Sequence, residues 1–260
     1  MQNSCFNRMR FLSWLLLGAI GIGIVIWVLW PKPTAIQLLE RSAIQGNVKA
    51  QDKLAGIYYD GQGVPKDYTK AAYWYEKAAD QGNADAQDML ATLYQNGDGV
   101  DQQDSQAAYW YKKAAVQGNA DAEDQLAILY YQGDGVPLDN TKAAYWEQKA
   151  ADQGDAGAQE GLATLYEQGQ GVPQNYAKAA FWFKKAADQG VIAAQVSLAD
   201  LYVSGQGVPQ DYVQAYKWYD LAASQGFPDY AQRRDKIASK MTSAEIAEAQ
   251  HLASSWKQTN

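Results

Sequence analysis

The sequence predicts an all-α fold, a right-handed α-solenoid of five 36-residue helix-turn-helix repeats with helical caps, preceded by one transmembrane helix. Three observations lead there. Gly46, Gly82, Gly118, Gly154, Gly190 and Gly226 stand 36 residues apart without an insertion. The segments between them vary one pattern, A-x-x-x-L-A-x-x-Y-x-x-G-x-G-V-P-x-D-x-x-K-A-x-x-W-Y-x-K-A-A-x-Q-G. A unit of that length cannot bury its apolar face alone, so it stacks on its neighbours. Ahead of the repeats, Phe11 to Trp30 is a 20-residue run without a charge, long enough to cross a hydrocarbon core about 30 Å thick.

In chain order, residues 1–10 read as a short cytoplasmic N-terminus and 11–30 as a signal-anchor helix. Trp14, Trp27 and Trp30 lie toward the ends of the run, where amphipathic rings favour the membrane interface. Arg8 and Arg10 precede it and the first acid is Glu40, so the positive end stays in the cytoplasm and the repeats are exported. The expected location is a bacterial inner membrane, single-pass, with the repeats in the periplasm. A cleaved signal peptide is the rival reading, but it calls for a core of about 7–15 residues and a small-x-small site. Trp30-Pro31-Lys32-Pro33 follows instead. Cys5 stands before the run and so is no lipoprotein attachment site, and a lone cysteine excludes an intrachain disulfide framework. Ala19 and Gly23 make a small-xxx-small pair, the spacing of helices that dimerise weakly within a membrane.

Residues 31–45 form a stiff Pro31-Lys32-Pro33 linker and an N-terminal capping helix. The repeats span 46–81, 82–117, 118–153, 154–189 and 190–225, and residues 226–260 form C-terminal capping helices. Without residues 1–33, which hold Arg8, Arg10 and Lys32, 19 basic residues face 29 acidic ones, a net charge of −10. Such a surface excludes nucleic acid and is repelled by anionic headgroups, so residues 11–30 alone hold the membrane.

Within a repeat, the first helix starts after Asn83, Asn119 or Asp155, all good N-caps, and ends at paired glycines such as Gly97 and Gly99. Ala86, Leu90, Leu93, Tyr94 and Gly97 fall on one stripe at helical spacing. The second helix carries Ala71, Ala72, Trp74, Tyr75, Ala78 and Ala79: the alanines allow close approach and the aromatics fill the space between hairpins. An inner unit has two interfaces to lose and a terminal unit one, so Trp110 and Trp146 are expected to matter more than Trp218.

Ala50, Leu54, Ala55, Tyr58, Gly61, Gly63, Val64, Pro65, Asp67, Lys70, Ala71, Trp74, Tyr75, Lys77, Ala78, Ala79 and Gln81 together resemble the SEL-one-like repeat, a longer relative of the tetratricopeptide repeat. The resemblance covers Gly46 to Gln225 as five units. Thr34 to Gln45 is similar to an isolated second helix and Tyr230 to Lys240 to an isolated first helix. Thr242-Ser243-Ala244-Glu245 reads as a capping box for a closing helix to about Trp256. The resemblance implies a scaffold that holds other proteins, with its first helices on the concave side.

Departures from the pattern carry further information. Glu147 occupies the slot of Tyr75, Tyr111, Phe183 and Tyr219 on the packed face. A carboxylate there needs a partner or solvent: either the helix shifts and the acid reaches water, or it is a polar contact point. Asp101 and Asp104 replace Pro and Tyr in the second unit, which is expected to loosen its turn, and Tyr216-Lys217 marks the end of the array. No catalytic or metal site is expected and no cofactor, because His251 is the single histidine and Cys5 the single cysteine. The Gly-x-Gly loops recur in every unit and follow helices, and some, such as Gly133-Asp134-Gly135, carry an acid, so they read as C-caps and not as phosphate cradles.

Positions 4, 7, 11 and 14 of each repeat fall opposite the buried stripe and are expected to be exposed. Position 7 gives an acidic ladder, Asp52, Asp88, Asp124 and Glu160. Tyr59, Gln95, Ile128, Tyr131, Glu167, Asp200 and Val203 complete a candidate partner-binding face, a mixture of apolar groups and charge. Acids there also keep a helix soluble and complement its dipole. Tyr73, Tyr109, Tyr145 and Phe181 are expected to seal neighbouring layers, with an outward aromatic strip as the alternative. Two functions remain: a non-catalytic membrane-anchored scaffold binding a basic protein through the acidic face, or, by resemblance to repeat proteins of that role, an immunity protein neutralising a secreted phospholipase-type effector.

Overall fold

The computed structural model describes residues 34–258, and from Ile36 onward the chain forms one compact unit. Every regular element among these residues is helical. A capping helix α1 (Ala35–Ile44) precedes five hairpins: α2 (Val48–Asp60) with α3 (Tyr68–Asp80), α4 (Ala84–Asn96) with α5 (Asp104–Val116), α6 (Ala120–Gln132) with α7 (Asn140–Gln153), α8 (Ala156–Gln168) with α9 (Tyr176–Asp188), and α10 (Ile192–Ser204) with α11 (Tyr212–Ala223). The end is closed by α12 (Pro228–Ala238) and α13 (Ser243–Ser255). Each second helix packs on its own first helix and on the first helix of the next hairpin, which makes the array a solenoid. The apolar run at residues 11–30, with the Ala19 and Gly23 pair and Cys5, lies outside the described residues. Among those described, no helix is long and apolar enough to cross a membrane.

The helix ends follow from local chemistry. Asn83 and Asp155 each accept the backbone N–H three residues on at 2.7 Å, satisfying a donor that the first turn leaves open. Each first helix ends on a left-handed glycine, and the second glycine of the pair has a different task. At Gly97 φ is 75° and its N–H caps the Leu93 carbonyl; at Gly99 φ is 70° and a Cβ would run into the backbone at Tyr68 and Thr69, one hairpin back. The first glycine turns the chain and the second lets hairpins touch. The Asp101 and Asp104 replacements do not loosen this turn: Gln103 keeps φ −148° and ψ 94°, against −147° and 91° at Asp67, and only the side-chain cap bond is missing. The Thr242 and Glu245 capping box forms.

Leu54, Leu90, Leu126, Leu162 and Leu198 sit buried against alanines such as Ala71, Ala107, Ala143, Ala179 and Ala215, so small faces large through the array. Trp110, Trp182 and Trp218 are buried, whereas Trp74 and Trp146 are half-buried. Trp218 at the end of the array is the most enclosed, at 1% exposure, because Trp256 after α13 stands edge-on to it at 6.3 Å. The closing helices thus give the last repeat the second interface that a bare terminus lacks. Tyr216 marks that end: it is buried, and Gln250 of α13 donates to its hydroxyl.

A polar ladder threads this core. Gln51, Gln87, Gln159 and Gln195 are buried, and each donates to a carbonyl of the preceding helix, those of Ala43, Ala79, Ala151 and Ala187. Their side-chain oxygens in turn accept from Gln81, Gln117 and Gln189 in the first, second and fourth repeats. In the third repeat Glu123 replaces the glutamine and accepts from Gln153 at 2.7 Å. The apolar core divides in that same repeat, one cluster ending at Ala143 and the next beginning at Ala150, with Glu147 between them.

Candidate partner-binding face

The first helices place their acids in one row. α4, α6, α8 and α10 hold acids and no lysine or arginine, whereas each second helix, α3, α5, α7, α9 and α11, carries at least one lysine. Four of the five first helices are therefore purely acidic, while the second helices, like α2, carry both signs. The ladder is less open than its periodicity predicts: Asp52, Asp88, Asp124 and Glu160 are half-buried, because side chains of the flanking hairpins rise beside them. The angle about one helix cannot include those neighbours.

Burial changes the chemistry of the row. It pushes the Asp88 carboxyl up to about 7, with Asp121 and Asp85 adding repulsion, and pushes Asp124 up to about 6, with Asp155 adding to it. Asp52, Glu160 and Glu167 are raised in the same direction by burial. Asp88, Gln95, Asp121 and Asp124 line one hollow with Thr92, Asn96, Gln125 and Tyr111. There the Tyr111 hydroxyl donates to Gln95 at 2.8 Å, and Asp88 Oδ1 is buried without a hydrogen-bond partner.

The other predicted residues divide. Tyr59 leans edge-on against Tyr68 at 5.3 Å, Ile128 is half-buried, and Tyr131 is 41% exposed. Glu167 is half-buried; its backbone carbonyl accepts from Gln174. Asp200 and Val203 line a hollow with Arg233 and Lys236 of α12 and with Lys240 just after it, so the chain's own cations cover the last position of the face. Arg233 reaches Asp200 at 2.9 Å while the Tyr219 hydroxyl donates to the same carboxylate.

Glu147 overturns the expectation that it reaches water. It is 7% exposed, Oε2 has no hydrogen-bond partner, and burial beside Asp124, Asp155 and Glu160 pushes its carboxyl up to about 9. The expected sealing by the aromatic flank also changes. Tyr73, Tyr109, Tyr145 and Phe181 remain 49–54% exposed. Each stands edge-on to the tryptophan of its own helix at 4.9–5.0 Å, with Lys77, Lys113, Lys149 or Lys185 over its ring. The alternative, an outward aromatic strip, is the one formed.

Sequence reasoning missed the glutamine ladder and the separation of charge. Both had a signal: glutamine or glutamate recurs at position 6 of all five repeats, and the lysines recur only in the second half of four of them.

Five consecutive Sel1 repeats match the chain, at residues 48–83, 84–119, 120–155, 156–191 and 192–227. A comparison with curated protein sequences gives no match. Among solved structures, a Sel1 repeat protein from Oxalobacter formigenes is 35% identical with a TM-score of 0.70, over 75% of this chain and 81% of that one. A protective antigen of uropathogenic Escherichia coli with an SLR fold is 32% identical with a TM-score of 0.57, and there this chain covers 55% of the antigen and 85% of itself is matched. An immunity protein from Pseudomonas aeruginosa aligns at 24% identity and a TM-score of 0.44, over 73% of this chain and 72% of that one. With its matched repeats spanning most of the described residues, the chain belongs to the Sel1 repeat family, whose repeats mediate protein–protein interaction.

Proposed function

We propose that this chain is a non-catalytic, membrane-anchored scaffold that binds a basic protein segment along its first-helix face. The separation of charge carries the reading: four successive first helices hold acids without a single lysine or arginine, and such a face draws in and orients a partner of opposite sign. The apolar run at 11–30 behind Arg8 and Arg10 supports a single-pass anchor in a bacterial inner membrane with the repeats in the periplasm.

The test uses the full chain as bait in membranes. A basic protein should be captured, and the Asp88→Asn, Asp124→Asn double variant should hold it more weakly and with a flatter salt dependence. Capture that is indifferent to salt and to both substitutions would overturn the reading. Recovery of a phospholipase inhibited by the chain would make the same face an inhibitor's. Extraction of the chain by carbonate, or protease access to the repeats from the cytoplasmic side, would overturn the anchor.

A further inference from the structure

The aromatic strip of the second helices stops at Phe181, and there the surface opens. Ala177, Phe181, Leu198 and Val208 give an apolar lining to a cavity of about 380 Å³, with Lys184, Lys185 and Asp188 of α9 as its charged groups. The other repeats do not repeat that combination. Thr69, Ser105 and Thr141 stand where Ala177 leaves room, and tyrosines stand in place of Phe181. The second repeat shares the lysine pair, as Lys112 and Lys113, but has Val116 instead of Asp188.

The polar groups of this cavity are only partly used within the chain. Lys184 reaches Asp188 Oδ2 at 2.6 Å, which leaves Oδ1 as an acceptor. Lys185 takes part in none of the ion pairs among the described residues, and its ammonium lies over Phe181 at 5.3 Å and Trp182 at 5.2 Å. Tyr202 also lines the cavity, and its hydroxyl makes no hydrogen bond among the described residues. A third ammonium stands close by. Lys217, which replaces the aromatic of the strip in the last hairpin, lies over Trp218 at 4.1 Å, and Lys184 lies over the same ring at 5.9 Å. Lys184, Lys185 and Lys217 outnumber Asp188 and Asp211 here, so a chain of net charge −7 carries a locally cationic site.

We propose that this cavity receives the C-terminal residue of a partner protein, with an apolar side chain against Phe181, Leu198 and Val208 and the terminal carboxylate on Lys185 and Tyr202. At about 380 Å³ the cavity is near the lower end of the range of about 300–1,000 Å³ for ligand sites, so the apolar group and the anion it selects must lie close together. The last residue of a chain joins both on one α-carbon. It also brings an amide N–H, for which Asp188 Oδ1 is an acceptor and which a fatty acid lacks. The site is built around α9, apart from the Asp88 and Asp124 row, so one scaffold holds two partners of different chemistry and neither reading depends on the other.

The probe is an N-terminally labelled pentapeptide, Gly-Gly-Ser-Ala-Leu with a free terminal carboxylate, titrated by fluorescence polarisation into the full chain held in phosphatidylcholine nanodiscs. It should bind saturably, and roughly tenfold more tightly than the same peptide closed as its terminal amide. Lys185→Gln should weaken binding roughly tenfold, whereas Lys113→Gln, in the same column two repeats earlier, should leave it unchanged. Ala177→Leu, which fills the cavity, should abolish it. Absence of saturable binding, equal binding of the amide peptide, or parental affinity in Lys185→Gln would overturn the site. An equal loss in Lys113→Gln would do the same, since it marks attraction to lysines at large. Octanoate, a carboxylate without an amide N–H, should compete poorly, and its displacing the peptide as well as unlabelled peptide does would overturn the C-terminal reading in favour of a lipid-derived acid. Should Ala177→Leu not fold, Lys185→Gln decides the matter.

Discussion

Glu147 lays its carboxyl over the α-carbon of Gly161, so close that a Cβ there would sit 2.5 Å from Oε1. The pair belongs to two different repeats, and each residue departs from its own column. A carboxyl enters a slot that the other repeats give to an aromatic ring, and the facing position gives up its side chain to make room.

That burial has a stability consequence with a definite sign. The Glu147 carboxyl, pushed up to about 9, holds its proton in the folded state at pH values where the unfolded chain releases it. Folding is therefore weakened as pH rises from the ordinary carboxylate range toward about 9. Glu147→Gln should be close to neutral at pH 4 and stabilising by about 3 kcal/mol at pH 7. Urea unfolding at the two pH values checks this, and an equal effect at both would contradict it.

Trp218→Ala should cost about 3–5 kcal/mol, no less than Trp110→Ala, because both rings are buried. Trp146→Ala should cost less than either, since that ring is half-buried. Trp256→Ala should lower the cost of Trp218→Ala, a coupling that a double-mutant cycle in chemical denaturation measures. Additive losses would show that the closing segment does not support the last repeat.

The glutamine ladder yields two substitutions of opposite effect. Gln87→Leu leaves the Gln117 amide only its longer bond to the Lys113 carbonyl and removes the bond to the Ala79 carbonyl, a loss of about 1–3 kcal/mol. Glu123→Gln restores a donor where its four counterparts have one, and should gain about 0.5–1.5 kcal/mol at neutral pH. Midpoints of urea unfolding report both.

Partner binding should itself respond to pH. With Asp88 pushed up to about 7 and Asp124 to about 6, part of the acidic row is protonated just below neutrality. A basic partner favours the ionised forms, so its affinity should rise between pH 6 and pH 8, and the Asp88→Asn, Asp124→Asn variant should lose most of that rise. Tyr131→Ala, removing an exposed ring, should quicken dissociation and leave the pH response unchanged. Binding kinetics at three pH values separate the two effects.

The sequence by itself determined the period, the order of the helices, their caps and the identity of the family, because each depends on neighbours within one unit. Asn83 caps the helix that follows it, Gly97 ends that helix, and the apolar stripe from Ala86 to Leu93 needs only the helical angle. The sequence also contained the acidic ladder. Tertiary structure alone decided its depth, since Asp88 and Asp124 are half-buried by side chains of adjacent hairpins that no single-helix periodicity includes. It also placed Gly161 beneath Glu147, put α12 with Arg233 over the end of the face, and closed Trp218 under Trp256. Those relations join residues of different repeats or of a cap, and only stacking brings their side chains within reach of one another.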